Sequence, residues 1–96
     1  GLNAPLMSGD GIVSSEFVSI AGPGAEGTLM TFSPDPRKNP NAQEAVKKFR
    51  AKNFEPEAYT LYSYAAVQIL AEAAKQANST DGKKIADVMK QGKPFK

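Results

Sequence analysis

The sequence predicts an α/β chain, mostly helical with about two short strands, that forms part of a larger α/β architecture. Three observations carry this. Strand-like segments at 2–7 and 27–32 alternate with helix-like segments. The longest periodic segment, 56–77, is apolar around well over half of its circumference and so expects burial on two sides. Two strands and three amphipathic helices do not close a sheet around a core.

Leu2 to Met7 is short, apolar and interrupted by Pro5, then meets Ser8-Gly9-Asp10-Gly11. This reads as a buried strand ending in a turn. Phe17, Val18 and Ile20 follow Ser14 and Ser15, which predicts a short helix capped by one of the serines. Gly22-Pro23-Gly24 breaks it. Thr28 to Phe32 favours a strand, and Ser33-Pro34-Asp35-Pro36 stops it because proline cannot donate to a ladder.

Asn39 is a plausible N-cap with Pro40 in the first helical position. Ala42, Ala45, Val46 and Phe49 then recur at helical spacing, opposite Glu44, Lys47, Lys48 and Arg50. In the long segment the apolar set includes Leu61, Tyr62, Ala65, Ala66, Ile69, Leu70, Ala73 and Ala77. A last helix is expected from about Lys83 to Gln91, capped by Asp81 and ended by Gly92 and Pro94. Phe95 follows that terminator, where another strand is expected to start.

Charge is split along the chain. Residues 1–36 carry four acids and no base, whereas 37–96 carry all 12 bases and six acids, for a net +2. The bases are spread over helical faces with little aromatic interleaving, so nucleic-acid binding is not expected. With no cysteine and no histidine, disulfides, thiol nucleophiles, zinc sites of the usual kind and Ser-His-Asp chemistry are excluded. No apolar run approaches the ~20 residues of a membrane helix. Gly1 opens on strand-like sequence, so any export signal is expected to lie outside this chain.

Two positions are candidates for chemistry. Gly9-Asp10-Gly11 sets a carboxylate on a turn just after a strand, and ligands of open α/β sheets bind outside the carboxyl ends of strands. A carboxylate there can meet an ammonium group. An ordinary Asp-Gly turn explains the same residues. Tyr59 sits in the expected first turn of the long helix, where its ring and hydroxyl can border a cleft; core packing is the alternative. The glycines at 22, 24 and 27 lack the Gly-Lys-Ser/Thr of a phosphate loop. No catalytic constellation is expected, and no metal or other cofactor.

Taken in order, several segments resemble one family: Gly9-Asp10-Gly11-Ile12, Ala21-Gly22-Pro23, Ala25-Glu26-Gly27, Pro34-Asp35-Pro36, Ala58-Tyr59, Tyr64-Ala65-Ala66-Val67-Gln68 and Gly92-Lys93-Pro94-Phe95. The set is similar to the branched-chain amino-acid-binding proteins of ATP-driven importers, the type I periplasmic binding proteins, and it matches the later part of their chain. The resemblance implies an incomplete fragment of a two-lobed fold, with residues 1–26 in the second lobe, 27–33 as a hinge-crossing strand and 34–96 as the returning part of the first lobe. It implies that Asp10 pairs with the α-ammonium of an amino acid, where many relatives carry Glu, and that Tyr59 borders the pocket. The implied function is solute binding between lobes for a membrane permease, in the periplasm, without enzymatic activity. A ligand-sensing domain of a receptor or regulator with the same fold is the alternative, and a free-standing helical interaction module a further one. The unmatched apolar faces predict that the chain alone self-associates or swaps elements.

Overall fold

The computed structural model describes residues 2–95; Gly1 and Lys96, at the ends of the expected segments, lie outside the described residues. The chain forms two compact units, one running to Leu61 and one from Tyr62.

The first unit opens on a parallel pair of two-residue strands, β1 (Met7–Ser8) and β2 (Leu29–Met30), with Met7 opposite Leu29 and Ser8 opposite Met30. The Leu29 amide donates to the Leu6 carbonyl at 2.8 Å and the Thr31 amide to the Ser8 carbonyl at 3.2 Å. Parallel strands need a crossover, and helix α1 (Ser15–Ala21) lies in it. Ser14 starts α1: its backbone is extended and its hydroxyl accepts the Phe17 amide at 3.1 Å. Gly22, at φ +55°, ends the helix in a conformation that costs other residues a Cβ clash.

Both strands are shorter than the sequence suggests, and the first is not buried. The expected strand at Leu2–Met7 is displaced to Met7–Ser8, and Met7 is 70% exposed. Pro5 has no N–H to give to a ladder, and the opposing strand spans only two residues. At the other strand, the Thr28 amide turns back to the Ala25 carbonyl at 3.1 Å, with Gly27 at φ +79°, so extended pairing begins only at Leu29.

After β2 the chain makes two single-turn 3₁₀ segments, Pro36–Lys38 and Pro40–Ala42. Asp35 caps the first through the Arg37 amide at 3.0 Å, and Asn39 caps the second through the Asn41 amide at 2.9 Å. Asn39 is therefore the expected cap and Pro40 the expected first residue, but of a tight turn that feeds helix α2 (Gln43–Arg50). Val46 is 2% exposed on the inner face of α2, with Ala42, Ala45 and Phe49 half-buried beside it in the pattern. Its polar face holds the Glu44–Lys48 pair at 2.8 Å.

A Schellman turn ends α2. Asn53 takes φ +57°, its amide donates to the Arg50 carbonyl at 2.9 Å, and the Phe54 amide donates to the Phe49 carbonyl at 3.1 Å. The Phe49 and Phe54 rings meet at 5.8 Å, the apolar contact that accompanies this cap. Pro56 and Leu61 are buried with Val46 in this unit.

Helix α3 (Thr60–Ala77) begins four residues later than the periodic segment suggests. The Thr60 amide closes a turn onto the Glu57 carbonyl at 2.7 Å, with Ala58 at φ +39°, and a positive φ cannot continue a right-handed helix. Tyr59 thus lies in the turn before α3, not in its first helical turn. The second unit comprises the rest of α3 and helix α4 (Gly82–Met89). Another Schellman turn ends α3, with Asn78 at φ +49°, and the Asp81 carboxylate caps α4 by accepting the Lys83 amide at 2.9 Å. Ala73 is fully buried, whereas Val67 is 66% exposed and Leu70 half-exposed, so one of the two apolar sides of α3 is uncovered.

Candidate functional site

The site lies at the carboxyl ends of the parallel strands, where α/β sheets hold their ligands. Asp10 stands two residues beyond β1 and opens a 3₁₀ turn, Asp10–Ile12, closed by the Val13 amide on the Asp10 carbonyl at 3.1 Å. Gly9 and Gly11 flank it, and neither would meet any atom within 4 Å if it carried a Cβ, so their role is not to admit a neighbour. Phe32 stands two residues beyond β2. Tyr59 comes from the turn that the positive φ of Ala58 creates.

These three side chains converge. The Tyr59 hydroxyl donates to Asp10 Oδ2, across 49 residues of chain. The Phe32 ring meets the Tyr59 ring edge-on, with centroids 5.1 Å apart and planes at 69°. That is the favoured quadrupole arrangement of two aromatic rings. Asp10 and Tyr59, the two residues singled out in the sequence, are therefore in direct contact. Phe32 is the member that sequence reading missed. Its signal was an aromatic residue at the carboxyl end of a strand, which β-propensity already explains.

Asp10 is exposed, and its carboxyl is held below the usual carboxylate range. The Tyr59 hydrogen bond is the largest cause, followed by Asp10's own backbone N–H, against a small opposing desolvation. Both bonds favour the ionised form. An ionised carboxylate has about four lone-pair sites, and the phenol and the backbone N–H occupy two of them. The group is thus an oriented anion with capacity left for a cationic partner.

A cavity of about 240 Å³ lies alongside, lined by Val13, Phe32, Pro56, Ala58 and Leu61, with Asp35, Arg37 and Glu57 at its polar edge. Neither Asp10 nor Tyr59 lines it, although the neighbouring Ala58 and the edge-on partner Phe32 do.

An ion-pair chain holds the two loops that carry Phe32 and Tyr59. Arg37 forks onto Asp35, with Nε on Oδ1 at 3.0 Å and Nη2 on Oδ2 at 2.8 Å, and its Nη1 lies 3.7 Å from Glu55. Glu55 in turn receives Arg50 at 2.7 and 2.8 Å. The Arg37 guanidinium brings the Asp35 carboxyl down to about 2. Arg50 likewise lowers Glu55. Exposed pairs are individually weak, but bidentate arginine geometry fixes direction as well as distance. Glu57 adds a tie by accepting the Ser15 amide at 3.5 Å.

Among the described residues, no group of three His, Cys, Asp or Glu side chains is arranged to hold a metal ion. Among them, no helix is long and apolar enough to cross a membrane.

The arrangement is thus a carboxylate displayed at the carboxyl end of a parallel strand, held by a phenol that packs on an aromatic ring. The chain belongs to the periplasmic binding protein family, whose model matches residues 1–96. It is 66% identical over 96 residues to a Leu/Ile/Val-binding protein homolog 1 of Brucella suis, covering all of this chain and 26% of that protein. It is 49% identical over 92 residues to an amino acid binding protein of Pseudomonas aeruginosa, covering 94% of this chain and 25% of that one. The solved structure of the leucine binding protein LivK from Thermotoga maritima superposes with a TM-score of 0.82 at 32% identity, covering 99% of this chain and 28% of LivK. The fold is therefore a portion of the type I periplasmic-binding-protein α/β fold, and the chain spans about a quarter of the length of these relatives.

Proposed function

We propose that this chain is part of the solute-binding component of an ATP-driven importer, taking branched-chain or related amino acids in a cleft between two lobes. The observation that carries this is the Tyr59–Asp10 hydrogen bond. It sets an oriented, ionised carboxylate at the carboxyl end of a strand, and the amino-acid-binding names of relatives at 66% and 49% identity give that carboxylate a natural partner, the α-ammonium. A charge-assisted bond from the ammonium to Asp10 fixes the ligand's backbone end. Tyr59 supplies aromatic surface beside it.

In this reading residues 1–26 belong to the second lobe, 27–33 cross the hinge and 34–96 return to the first. Asp10 and Tyr59 then stand on facing walls of the cleft, joined by their hydrogen bond, and the ligand is captured beside them. The full-length protein works in the periplasm and delivers its ligand to a membrane permease. It is not an enzyme, and it takes the amino acid without a cofactor.

Calorimetric titration of the full-length protein with leucine, isoleucine, valine and phenylalanine tests this. At least one of them binds, and Asp10→Ala weakens it strongly. Loss of a hydrogen bond to a charged ligand group lowers affinity roughly 10- to 150-fold. Absence of binding by all four removes the substrate class, and unchanged affinity in Asp10→Ala removes the role of that residue.

A further inference from the structure

We propose that Phe32 and Tyr59 are positioning residues, which act in series to hold the Asp10 carboxylate in the orientation from which it meets the ligand. This rests on the reading of Asp10 as the ammonium-binding group.

A carboxylate on an exposed turn has two side-chain torsions to fix before it can make a directional bond, and ordering them lowers affinity. Here one oxygen, Oδ2, is already taken by the Tyr59 hydroxyl. With Asp10's own backbone N–H as the second donor, about two of its four lone-pair sites remain, so the phenol does not exclude an ammonium. The phenol is itself on a turn and half-exposed, and its ring needs its own support. Phe32 provides that by an edge-on contact at 5.1 Å. The ring-bearing loops are linked through Asp35, Arg37, Glu55 and Arg50, close to where the two rings meet. Phe32 therefore influences a carboxylate that it does not contact. The lowered proton affinity of Asp10, caused first by the same phenol, accompanies this arrangement and supplies a separate readout.

The test is leucine titration of the full-length protein from neutral pH downwards. The set is wild type, Tyr59→Phe, Phe32→Leu, Phe32→Tyr, the double variant Phe32→Leu/Tyr59→Phe, and Asp10→Asn. Tyr59→Phe weakens leucine about fivefold at neutral pH, the worth of one hydrogen bond. Phe32→Leu weakens it about threefold, the worth of one aromatic pair. Phe32→Tyr keeps the ring and retains wild-type affinity. The double variant loses no more than Tyr59→Phe alone, because without the hydroxyl the ring's placement no longer reaches Asp10. The acid midpoint of binding moves up in Tyr59→Phe and Phe32→Leu and stays in Phe32→Tyr; the ligand's own titration is common to all. A general packing role for Phe32 would lower affinity equally with and without the Tyr59 hydroxyl and leave the acid midpoint in place. That result overturns the proposal, as does an unmoved acid midpoint in Tyr59→Phe. Should Asp10→Asn bind leucine as wild type does, the ammonium reading fails and the positioning role with it. If Asp10→Asn loses binding while the other variants do not, the reading stands and the positioning role alone is wrong.

Discussion

Replacing Ser14 by alanine removes the side chain that caps α1, and the structure sets the size of the effect. The Ser14 hydroxyl accepts the Phe17 amide at 3.1 Å, one of the four amides that a helix start leaves without an internal partner. Alanine at an N-cap costs about 1 kcal/mol. Seven residues are well below the length at which a helix persists on its own, so that cost falls on local opening of α1. A loss of about 1 kcal/mol raises the open population about fivefold, since about 1.4 kcal/mol is a factor of ten. Amide hydrogen exchange of the full-length protein reads this at Val18 and Ser19, further into the helix than the capped Phe17 amide. Their exchange quickens about fivefold in Ser14→Ala, while amides of α4, capped independently by Asp81, are unchanged. Ser14→Asp restores slow exchange, because a carboxylate caps as well as serine and also complements the helix dipole. Equal exchange in Ser14→Ala and wild type, or faster exchange in Ser14→Asp than in Ser14→Ala, refutes the cap as the element that starts α1.

Three further outcomes follow from the packing and charges. Val46→Ala deletes two buried methyl groups, at about 0.8 kcal/mol each, partly offset by the better helix propensity of alanine. The full-length protein should lose about 1–1.5 kcal/mol by denaturant unfolding, whereas the exposed Glu44→Ala should leave the unfolding midpoint nearly unmoved. In Arg37→Gln the Asp35 carboxyl should climb from about 2 back towards 3.8, followed by carbon-13 NMR. Because the folded value is the depressed one, the Asp35–Arg37 pair stabilises above pH ~4 and that contribution fades as pH falls towards ~2. An unchanged Asp35 titration would show that Arg37 is not its cause. The 96-residue chain alone should self-associate through the uncovered side of α3, and Val67→Glu with Leu70→Glu should shift it towards monomer in sedimentation. A wild-type chain already monomeric by that measure would contradict it.

The parts of the fold that were legible in the sequence are those settled within a few residues. Ser14, Asn39 and Asp81 each cap the element they precede, since a cap needs only a short polar side chain and an amide two or three residues on. The α2 stripe around Val46 is equally local. The strands were misjudged because pairing depends on a partner elsewhere: β1 is two residues long because β2 offers two residues, whatever the apolar run from Leu2 suggests. The start of α3 was misplaced because alanine favours helices, and nothing in its type announces the left-handed backbone at Ala58. The site divides the same way. Asp10 was visible as a carboxylate after a strand. Its bond to Tyr59 spans 49 residues and depends on the turn at Ala58, so the meeting of the two was not legible, and neither was the place of Phe32 against the phenol.

Titration of the full-length protein with the tightest-binding of leucine, isoleucine, valine and phenylalanine, wild type beside Asp10→Ala, addresses the central claim most directly. The account predicts saturable, one-to-one binding by wild type and an affinity weaker by about 10-fold or more in the variant. Wild-type affinity retained in Asp10→Ala would contradict it.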